Sequence, residues 1–423
     1  MKVENTISFV CSVCGRPYTI ETEKDRQLCP VCSGSVEPVY DFSGKKEHYR
    51  SILQRGSSHG IWGYRELLPV DQDMEPVSLD EGNTPLLRAD NLAKELGVRR
   101  LYLKNETLNP SYTYKDRFAT IAVSMAKHQG KHTIALGSAG NAAAALAAFA
   151  AKGGMECFVL LPPGAVQERA RQIRSYGANL ITMEETINDC ILMAKQGEAL
   201  FGWENVSTAT CFHPWAAEGY KTIGYEIGRQ LDFKLPDWIV CPVGGGALLS
   251  KIYRGCQDML ALGLIDHLPR FAGVQAEGCM PLVQAYERGK SVADDWGTPD
   301  TIAFAIADVC TFESATVLSL LRSTGGTAVA VSDPEILEAM QVTGRKEAVL
   351  AEPASAVTVA GVKKLLNRGA ISREESVCCI ISGNGVRDLP LMVQGLPDVP
   401  VVGLNDVEGL RAAVATYQKG NNK

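Results

Sequence analysis

The sequence lacks a long apolar run that is free of charges and glycine. Its most tempting stretch, residues 133–151, is rich in alanine and is interrupted by Gly137 and Gly140. A membrane-spanning helix needs about 20 consecutive apolar residues, so no such helix is predicted. The start of the chain, from Met1 to Asn5, also lacks a long apolar core, so a secretory signal is not supported.

Clustered positive charge is also missing. The 423 residues include 42 Lys and Arg against 48 Asp and Glu, which gives a net charge of −6 and a pI of about 5.7. A nucleic-acid surface needs a basic patch or stripe, so no nucleic-acid partner is expected. No Walker Gly-Lys-Ser or Gly-Lys-Thr occurs, and a dinucleotide fingerprint starting at Gly244 fails because Leu249 stands where a glycine is required. With 46% hydrophobic residues, the chain can still bury a large core in two or three structural units.

Nine of the 13 cysteines are scattered without the regular spacing of a disulfide framework. This usage fits a reducing compartment and predicts a cytoplasmic protein. The other four form the pairs Cys11-x-x-Cys14 and Cys29-x-x-Cys32, with 14 residues between the pairs. That spacing is one residue shorter than the zinc-ribbon template. Four thiolates would close the tetrahedral shell of a zinc ion, so the metal would be structural. Two disulfides or redox-active pairs remain the alternative.

The segment from Asn109 to Arg117 places a lysine, Lys115, where a helix should begin. The apolar residues that follow it recur at helical spacing: Phe118, Ile121, Ala122 and Met125. The helix dipole opposes a positive charge at this end, so it should lower the pKa of the amine. A lysine that can lose its proton is suited to forming a Schiff base.

Two other loops have compositions that suit anions. Residues 137–141, Gly-Ser-Ala-Gly-Asn, follow a strand-like run and precede an alanine-rich helical segment, so their backbone N–H groups suit a carboxylate. Residues 244–247, Gly-Gly-Gly-Ala, follow the apolar run 238–242 and would let a phosphate approach the backbone. Taken alone, the second loop could equally be an ordinary turn between a strand and a helix.

Short β-rich runs alternate with helical patterns, which predicts an α/β fold with parallel strands covered on both faces. The predicted helices include Val166–Tyr176 and Asp333–Thr343. Ligands of such folds bind beyond the carboxyl ends of the strands, where these loops fall. The predicted strands are Leu101–Leu103, Thr133–Leu136, Cys157–Leu161, Asn179–Thr182, Trp238–Cys241, Arg270–Val274 and Val377–Ile381.

Together these elements resemble the fold-type II pyridoxal-phosphate enzymes, and within them the threonine synthase family. The resemblance covers about residues 78–400. It is carried by Glu81-Gly82-Asn83-Thr84-Pro85-Leu86, the lysine and asparagine loops, Glu218-Gly219-Tyr220-Lys221-Thr222, the glycine loop, Glu352-Pro353-Ala354-Ser355-Ala356 and Ser382-Gly383-Asn384-Gly385.

The resemblance implies a tryptophan-synthase-β-like fold with two doubly wound domains. It places a zinc ribbon at 1–40, an arm at 41–77, a large domain at 78–111 and 223–405, an inserted small domain at 112–222, and a C-terminal helix or tail at 406–423. The cofactor would lie between the two larger domains. A homodimer is expected.

Residue by residue, the resemblance implies that Lys115 binds pyridoxal phosphate covalently and then shuttles the proton at the substrate's Cα. Asn141 would contact the ring hydroxyl of the cofactor, and Ser382 its pyridine nitrogen. The phosphate would be held by Gly244, Gly245, Gly246 and Ala247. The residues expected at the substrate are Ser138, Ala139, Gly140, Tyr112, Thr113 and His213. A hydroxyl at the ring nitrogen favours elimination and replacement over transamination.

The chain departs from the family where substrate phosphate should bind. Ala216 replaces an arginine that often occurs in the family, which removes a charge-assisted bidentate contact. Either Arg117, Lys221 or His213 takes over, or the donor is not phosphohomoserine. The alternatives are a β-replacement enzyme resembling cysteate synthase or forming a diamino acid, a serine or threonine deaminase, and a catalytically inactive regulator that binds pyridoxal phosphate.

The acidic residue at the head of the Glu-Pro-Ala-Ser-Ala segment, Glu352, has two interpretations. It could line the site, or it could only cap a helix that begins near Pro353. The sequence leaves both open.

Overall fold

The structure, a computed structural model, describes residues 7–18, 28–163, 167–184, 187–208, 213–396 and 398–420. Its strands are β1 (Ile7–Cys11), β2 (Pro17–Tyr18), β3 (Val36–Tyr40), β4 (Leu86–Arg88), β5 (Arg100–Asn105), β6 (Thr133–Gly137), β7 (Glu156–Leu161), β8 (Asn179–Thr182), β9 (Glu204–Asn205), β10 (Trp238–Pro242), β11 (Arg270–Ala276), β12 (Thr327–Val331) and β13 (Ser376–Ile381).

Its α-helices are α1 (Lys46–Arg55), α2 (Asp90–Leu96), α3 (Asp116–His128), α4 (Asn141–Gly153), α5 (Gln167–Ser175), α6 (Ile187–Phe201), α7 (Pro214–Ala217), α8 (Lys221–Gln230), α9 (Ala247–Ala261), α10 (Pro281–Glu287), α11 (Ser314–Ser323), α12 (Asp333–Glu347), α13 (Pro353–Asn367), α14 (Leu389–Met392) and α15 (Val407–Gly420). Short 3-10 helices occur at Gly60–Leu67, Glu106–Leu108, Glu218–Tyr220, Phe304–Ile306 and Gly385–Asp388.

The large sheet has the strand order β12-β11-β10-β13-β5-β4. Its pairs are parallel except for β4, which runs antiparallel to β5 at the edge. Every residue of the central strand β10 is buried, because helices cover both faces of the sheet. This is why the strand reads as a continuous apolar run, and it places the loop after β10 at the carboxyl edge of the sheet.

The small sheet has the order β8-β7-β6-β9 and is parallel throughout. Helix α4 packs between this sheet and helix α3, and nearly all of its residues are buried. Alanine fills most of α4, since small side chains let its neighbours approach closely from several sides. The residues that precede α4 are thereby fixed at the carboxyl end of β6.

The N-terminal module is a three-stranded antiparallel sheet of order β2-β1-β3. The ring of Phe9 meets Trp215 edge-on at 4.5 Å between centroids, and Ser12 Oγ hydrogen-bonds Thr316 Oγ1 at 2.9 Å. Lys251 Nζ lies 3.0 Å from Glu37 of β3 and 3.0 Å from a second buried carboxylate, which lies outside the module. The module is thus anchored to the rest of the chain by packing and by charge.

All seven predicted strands are present, most of them one or two residues longer than predicted. Sequence patterns missed β4, β9, β12 and the module's strands, which are short or lack a distinctive apolar run. Predicted helix 333–343 extends to Glu347, and predicted helix 166–176 spans Gln167–Ser175, with Val166 outside the described residues. The α/β class, with two helix-covered sheets and a small N-terminal module, is confirmed.

The segment predicted to be an arm, residues 41–77, contains α1 and the 3-10 helix Gly60–Leu67. Tyr49, Leu53 and Tyr64 from this segment are buried in the core of the large sheet. Residues 389–423 form a separate unit, which contains α14 and α15. Among the described residues, no helix is long and apolar enough to cross a membrane.

Candidate active site

Lys115 lies directly before α3, at the floor of a cavity of about 220 Å³. The loop that carries it is held at both ends. The N–H of Ser111 donates to Asp116 Oδ2 at 2.7 Å, and the N–H of Tyr114 donates to the carbonyl of Ser382 at 3.0 Å. Burial raises the pKa of Asp116 to about 7, while Ser111 opposes that rise. The lysine is therefore positioned by a loop tied to the end of β13.

The Lys115 amine lies in surroundings that favour its neutral form. Nζ is 3.2 Å from Thr208 Oγ1, and it is 5.0 and 5.6 Å from the ring centroids of Tyr114 and Tyr220. Burial lowers the pKa of Lys115 to about 8, although the carboxylates of Asp308 and a neighbouring glutamate act in the opposite direction. The main cause of the lowered pKa is desolvation, and not the helix dipole that was expected from the position of Lys115 at the start of α3.

The glycine loop joins β10 to α9 and lines the same cavity. Gly246 has a φ of +103°, which favours glycine. A Cβ on Gly244 would lie 2.5 Å from Asp308 Oδ2, so this position has no room for a side chain. The first N–H groups of a helix have no partner within it, so the start of α9 suits an anion. The N–H of Gly245 hydrogen-bonds the carboxylate of Asp308.

Asn141 is the first residue of α4 and is held on two sides. Its Nδ2 donates to Glu352 Oε1 at 2.7 Å, and its Oδ1 accepts from Arg387 Nη2 at 2.9 Å. Glu352 makes no side-chain capping bond to α13, so its carboxylate serves the cavity wall and not the helix end. The orientation of Asn141 is consequently fixed by charge-assisted hydrogen bonds.

Ser382 follows β13 and forms a third wall. Its Oγ is 3.0 Å from Ser355 Oγ, and the N–H of Gly383 donates to the same Ser355 hydroxyl at 2.7 Å. The Ser355 Oγ also donates to the carbonyl of Gly383 at 3.0 Å. These contacts join the end of β13 to the first turn of α13 and fix the serine hydroxyl at the cavity.

Ten of the residues predicted for cofactor or substrate line one cavity: Lys115, Ser138, Ala139, Gly140, Asn141, Gly244, Gly245, Gly246, Ala247 and Ser382. Three predicted substrate residues do not line it. Tyr112 is exposed with a φ of +71°, and Thr113 is buried and accepts from the N–H of Lys115 at 3.4 Å. His213 caps α7, and burial lowers its pKa to about 4, so it is neutral.

Sequence reasoning missed several lining residues. Asp308 follows the 3-10 helix Phe304–Ile306, and Thr208 follows β9; neither lies in a recognisable motif. Ile187 and Ile191, on one face of α6, add an apolar wall together with Phe312. The helical spacing of the two isoleucines was the only signal in the sequence, and it fits a core-facing helix equally well.

Arg117 was a candidate to replace the arginine missing at position 216, and the structure excludes it from the cavity. Its guanidinium is fully buried between Glu106 and Glu226, with nitrogen–oxygen distances of 2.7 and 2.6 Å. Lys104 Nζ contacts the second glutamate at 2.6 Å, so two positive and two negative groups balance. Arg117 therefore anchors the start of α3.

The other two candidates are also engaged elsewhere. Lys221 is fully buried, with Nζ 3.1 Å from Glu218 and 3.3 Å from Asp258, and it lies over the ring of Tyr40 at 3.8 Å. His213 is neutral, as described above. Ala216 itself is buried in the hydrophobic cluster that includes residues of α3 and α4, and it does not line the cavity.

The four paired cysteines lie together, with their sulfurs within 4.8 Å of one another. Two of the distances are 3.4 Å, between Cys11 and Cys32, and 3.7 Å, between Cys14 and Cys29. A tetrahedral zinc ion with bonds of about 2.3 Å separates its sulfurs by about 3.8 Å. The donors and their spacing thus fit a structural zinc ion.

Four features of the cavity fit pyridoxal phosphate. A lysine with a lowered pKa can react with the aldehyde, the glycine loop can hold the phosphate, and Asn141 and Ser382 offer polar groups for the ring. This set, placed at the carboxyl ends of strands in an α/β structure of two sheets, defines the class of fold-type II pyridoxal-phosphate enzymes.

Comparison with known proteins agrees with this class. Residues 77–383 match the family described as "Pyridoxal-phosphate dependent enzyme", and the chain belongs to that family. A threonine synthase of Methanosarcina acetivorans is 37% identical over 96% of this chain and 98% of its own length. The threonine synthase of Methanocaldococcus jannaschii is 38% identical over 89% of this chain and 92% of its own length.

Solved structures share the fold. Diaminopropionate ammonia lyase from Escherichia coli superposes with a TM-score of 0.65 at 16% identity, over 93% of this chain and 98% of that chain. Threonine deaminase isoform 2 from Solanum lycopersicum gives a TM-score of 0.63 at 20% identity, over 84% and 94%. At these identities the likeness concerns the fold alone.

Proposed function

We propose that this enzyme eliminates a group from Cβ or Cγ of a small amino acid and adds a nucleophile in its place, as a threonine-synthase-like enzyme. The observation that carries this proposal is the Lys115 amine, which lies at the cavity floor with a pKa lowered to about 8. The relatedness to threonine synthases over nearly the whole chain supports it.

In this proposal, the residues that line the cavity have separate roles. Pyridoxal phosphate, when bound, supplies an acceptor for the electrons released at Cα of the amino acid. Lys115 Nζ would take the proton from Cα and return a proton to the product. Asn141 and Ser382 would orient the ring, since both are held by neighbours within 3.0 Å.

The glycine loop would bind the phosphate through the N–H groups of residues 244–247. The loop from Ser138 to Gly140 would receive the carboxylate of the amino acid. Its N–H groups precede α4, where the helix dipole favours a negative charge.

The test is chemical labelling followed by a donor screen. Borohydride reduction of protein loaded with pyridoxal phosphate should leave a stable tag on Lys115, located by peptide mass spectrometry. Lys115→Ala should abolish turnover, whereas the control Lys131→Ala, at a lysine outside the cavity, should not. The screen uses serine, threonine, homoserine and their phosphate esters. The proposal fails if no tag forms at position 115 or if no donor loses its side-chain group.

We also propose that the N-terminal module binds one structural zinc ion through Cys11, Cys14, Cys29 and Cys32. The distances between their sulfurs support this assignment. Metal analysis should find one zinc per chain in the wild type and none in Cys29→Ser, which should also unfold at a lower temperature. Equal zinc content in the two proteins would remove the assignment. We further propose, from the sequence alone, that the enzyme is a homodimer and that it works in a reducing, cytoplasmic compartment.

A further inference from the structure

Buried charges join the N-terminal module to the rest of the chain. Six side chains of alternating charge form a row in which neighbours lie 3.0 to 3.9 Å apart. Five of them are buried, and the last is partly exposed. This charge row consists of Glu37, Lys251, Glu218, Lys221, Asp258 and Arg254, in that order. Its formal charges sum to zero only with Glu37, the member that β3 of the module contributes.

Strand β3 contacts all three cations of the charge row. Besides the ion pair of Glu37, Nη2 of Arg254 donates to the carbonyl of Pro38 at 3.4 Å. The ammonium of Lys221 lies 3.8 Å from the ring centroid of Tyr40. A buried charge without its partner is costly, so these contacts help to fix where the three cations lie.

One part of the charge row lies directly behind the glycine loop. Lys251 is on α9, four residues after the end of that loop at Ala247. The neighbouring Ser250 Oγ donates to Glu313 Oε2, and the N–H of Glu313 donates to the carbonyl of Gly245 at 2.9 Å. Glu313 therefore joins the helix that carries Lys251 to the loop proposed to hold the cofactor phosphate.

Another part of the charge row lies next to the Lys115 amine. Glu218 and Tyr220 belong to the same turn of 3-10 helix. The ring of Tyr220 lies 5.6 Å from Lys115 Nζ and 4.9 Å from the ring of Tyr114, measured to the centroids. A shift of Glu218 would consequently be passed to a ring that covers the amine.

Glu313 also links the charge row with Lys115 electrostatically. Burial lowers the pKa of Lys115, while Asp308 and Glu313 oppose this change. Burial likewise acts to lower the pKa of Lys251, but its ion-pair partners and Glu313 raise it above its ordinary value. The described titratable groups around the Lys115 amine are the phenols of Tyr114 and Tyr220 and the carboxylates of Asp308 and Glu313.

We propose that Glu37 of the N-terminal module is a positioning residue for Lys115, because its carboxylate keeps the charge row neutral and leaves Glu313 to the glycine loop and the amine. This inference rests on the proposed role of Lys115. Without the Glu37 carboxylate, the row carries one excess positive charge and Lys251 attracts Glu313 more strongly. Both changes disfavour the ammonium form of Lys115. The module would then help to set the reactivity of the site, besides stabilising the chain.

The test measures how fast pyridoxal phosphate attaches to Lys115 in cofactor-free protein between about pH 6 and about pH 10, by borohydride reduction at short times and peptide mass spectrometry. It compares wild type, Glu37→Gln, and the double variant Glu37→Gln with Lys251→Met, in which the charge row is neutral again. The matched control is Glu287→Gln, at an exposed glutamate at the end of α10. Zinc content and thermal unfolding of each protein show whether the module keeps its metal and its fold.

The expected results are shifts of the pH at which the attachment rate reaches half its maximum. Wild type and Glu287→Gln should have this midpoint at about pH 8, the pKa of Lys115. Glu37→Gln should lower it by about half a pH unit or more, which makes the reactive fraction at pH 7 about threefold larger or more. The double variant should return to the midpoint of wild type.

A variant at the other end of the charge row decides the question if Glu37→Gln does not fold. Arg254 is partly exposed, so Arg254→Gln should be tolerated better. This substitution leaves one excess negative charge and should move the midpoint to higher pH. An unchanged midpoint in Arg254→Gln would then overturn the inference.

The direction of the shift separates this role from a purely structural one. If Glu37 only held the module in place, its loss would loosen the packing, admit water and raise the pKa of Lys115 toward its ordinary value. A midpoint in Glu37→Gln that is unchanged or higher would therefore overturn the inference, and so would a double variant that keeps the shift of the single variant. Absence of a tag on Lys115 in wild type would instead refute the proposed function.

Discussion

The lowered pKa of Lys115 makes a quantitative prediction about the pH at which the enzyme accepts its cofactor. Only the neutral amine attacks the aldehyde. At pH 7, a group with a pKa of about 8 is neutral in about one molecule in ten, against about one in three thousand for an ordinary lysine near 10.5. Lys115 should therefore carry roughly a 300-fold larger reactive fraction at this pH.

The direction of the pH dependence follows from the burial of the amine. Burial disfavours the charged ammonium, so the amine loses its proton at a lower pH than it would in water. The rate of cofactor attachment should rise as the pH increases from about 6 and should level off above about 8. The neutral fraction of an ordinary lysine would keep rising to about pH 10.5 before it levelled off.

The assay mixes cofactor-free enzyme with pyridoxal phosphate between pH 6 and pH 10, reduces samples with borohydride at short times, and measures the tag on each lysine. Exposed lysines such as Lys152 provide the reference within the same protein. Labelling of Lys115 that still rises steeply above about pH 9.5, or that matches the exposed lysines at pH 7, would refute the argument that burial controls this amine.

Three further substitutions test the buried charged group around Arg117 and the residues at the end of β13. Arg117→Met should destabilise the protein by about 3–5 kcal/mol in urea unfolding, because it leaves two buried carboxylates with one lysine; a loss under about 1 kcal/mol would contradict this. Gly383→Ala should lower the free energy of unfolding by about 1–3 kcal/mol and weaken cofactor binding, since the added Cβ would lie 2.3 Å from Glu352 Oε1. The control Gly297→Ala should leave the free energy of unfolding nearly unchanged, because no atom lies within 4 Å of its added Cβ. Ser382→Asp should shift the visible spectrum of the loaded enzyme, because an aspartate carboxylate would stabilise the protonated form of the ring nitrogen. An unchanged spectrum would place Ser382 away from the ring.

The parts of the site that could be predicted from the sequence are those whose chemistry is local. A lysine at a helix start, a glycine loop after the apolar run of β10 and an asparagine at the start of α4 are visible because strands and helices leave periodic patterns. Parallel topology then brings the ends of separate strands together, so three loops distant in the chain meet at one cavity.

The features of the site that could not be predicted from the sequence depend on partners that only the folded chain brings together. Arg117 and Lys221 were plausible anion ligands by position, but each is fully buried among carboxylates from other elements. Asp308 lies in an irregular segment with no periodicity, so nothing in the sequence separates it from a surface aspartate. The pairing of buried charges is decided by packing, which spacing along the chain does not encode.

Different charged groups near Lys115 anchor the start of α3 and adjust the pKa of the Lys115 amine. Arg117, two residues further along, joins Lys104, Glu106 and Glu226 in a buried group whose formal charges sum to zero. Such a group fixes the start of α3 rigidly while its field largely cancels at the neighbouring amine. Burial then lowers the pKa of Lys115, and carboxylates that face the cavity oppose it. A substitution that unbalances the buried group should therefore disturb both stability and the amine, whereas one at the cavity wall should act mainly on the amine.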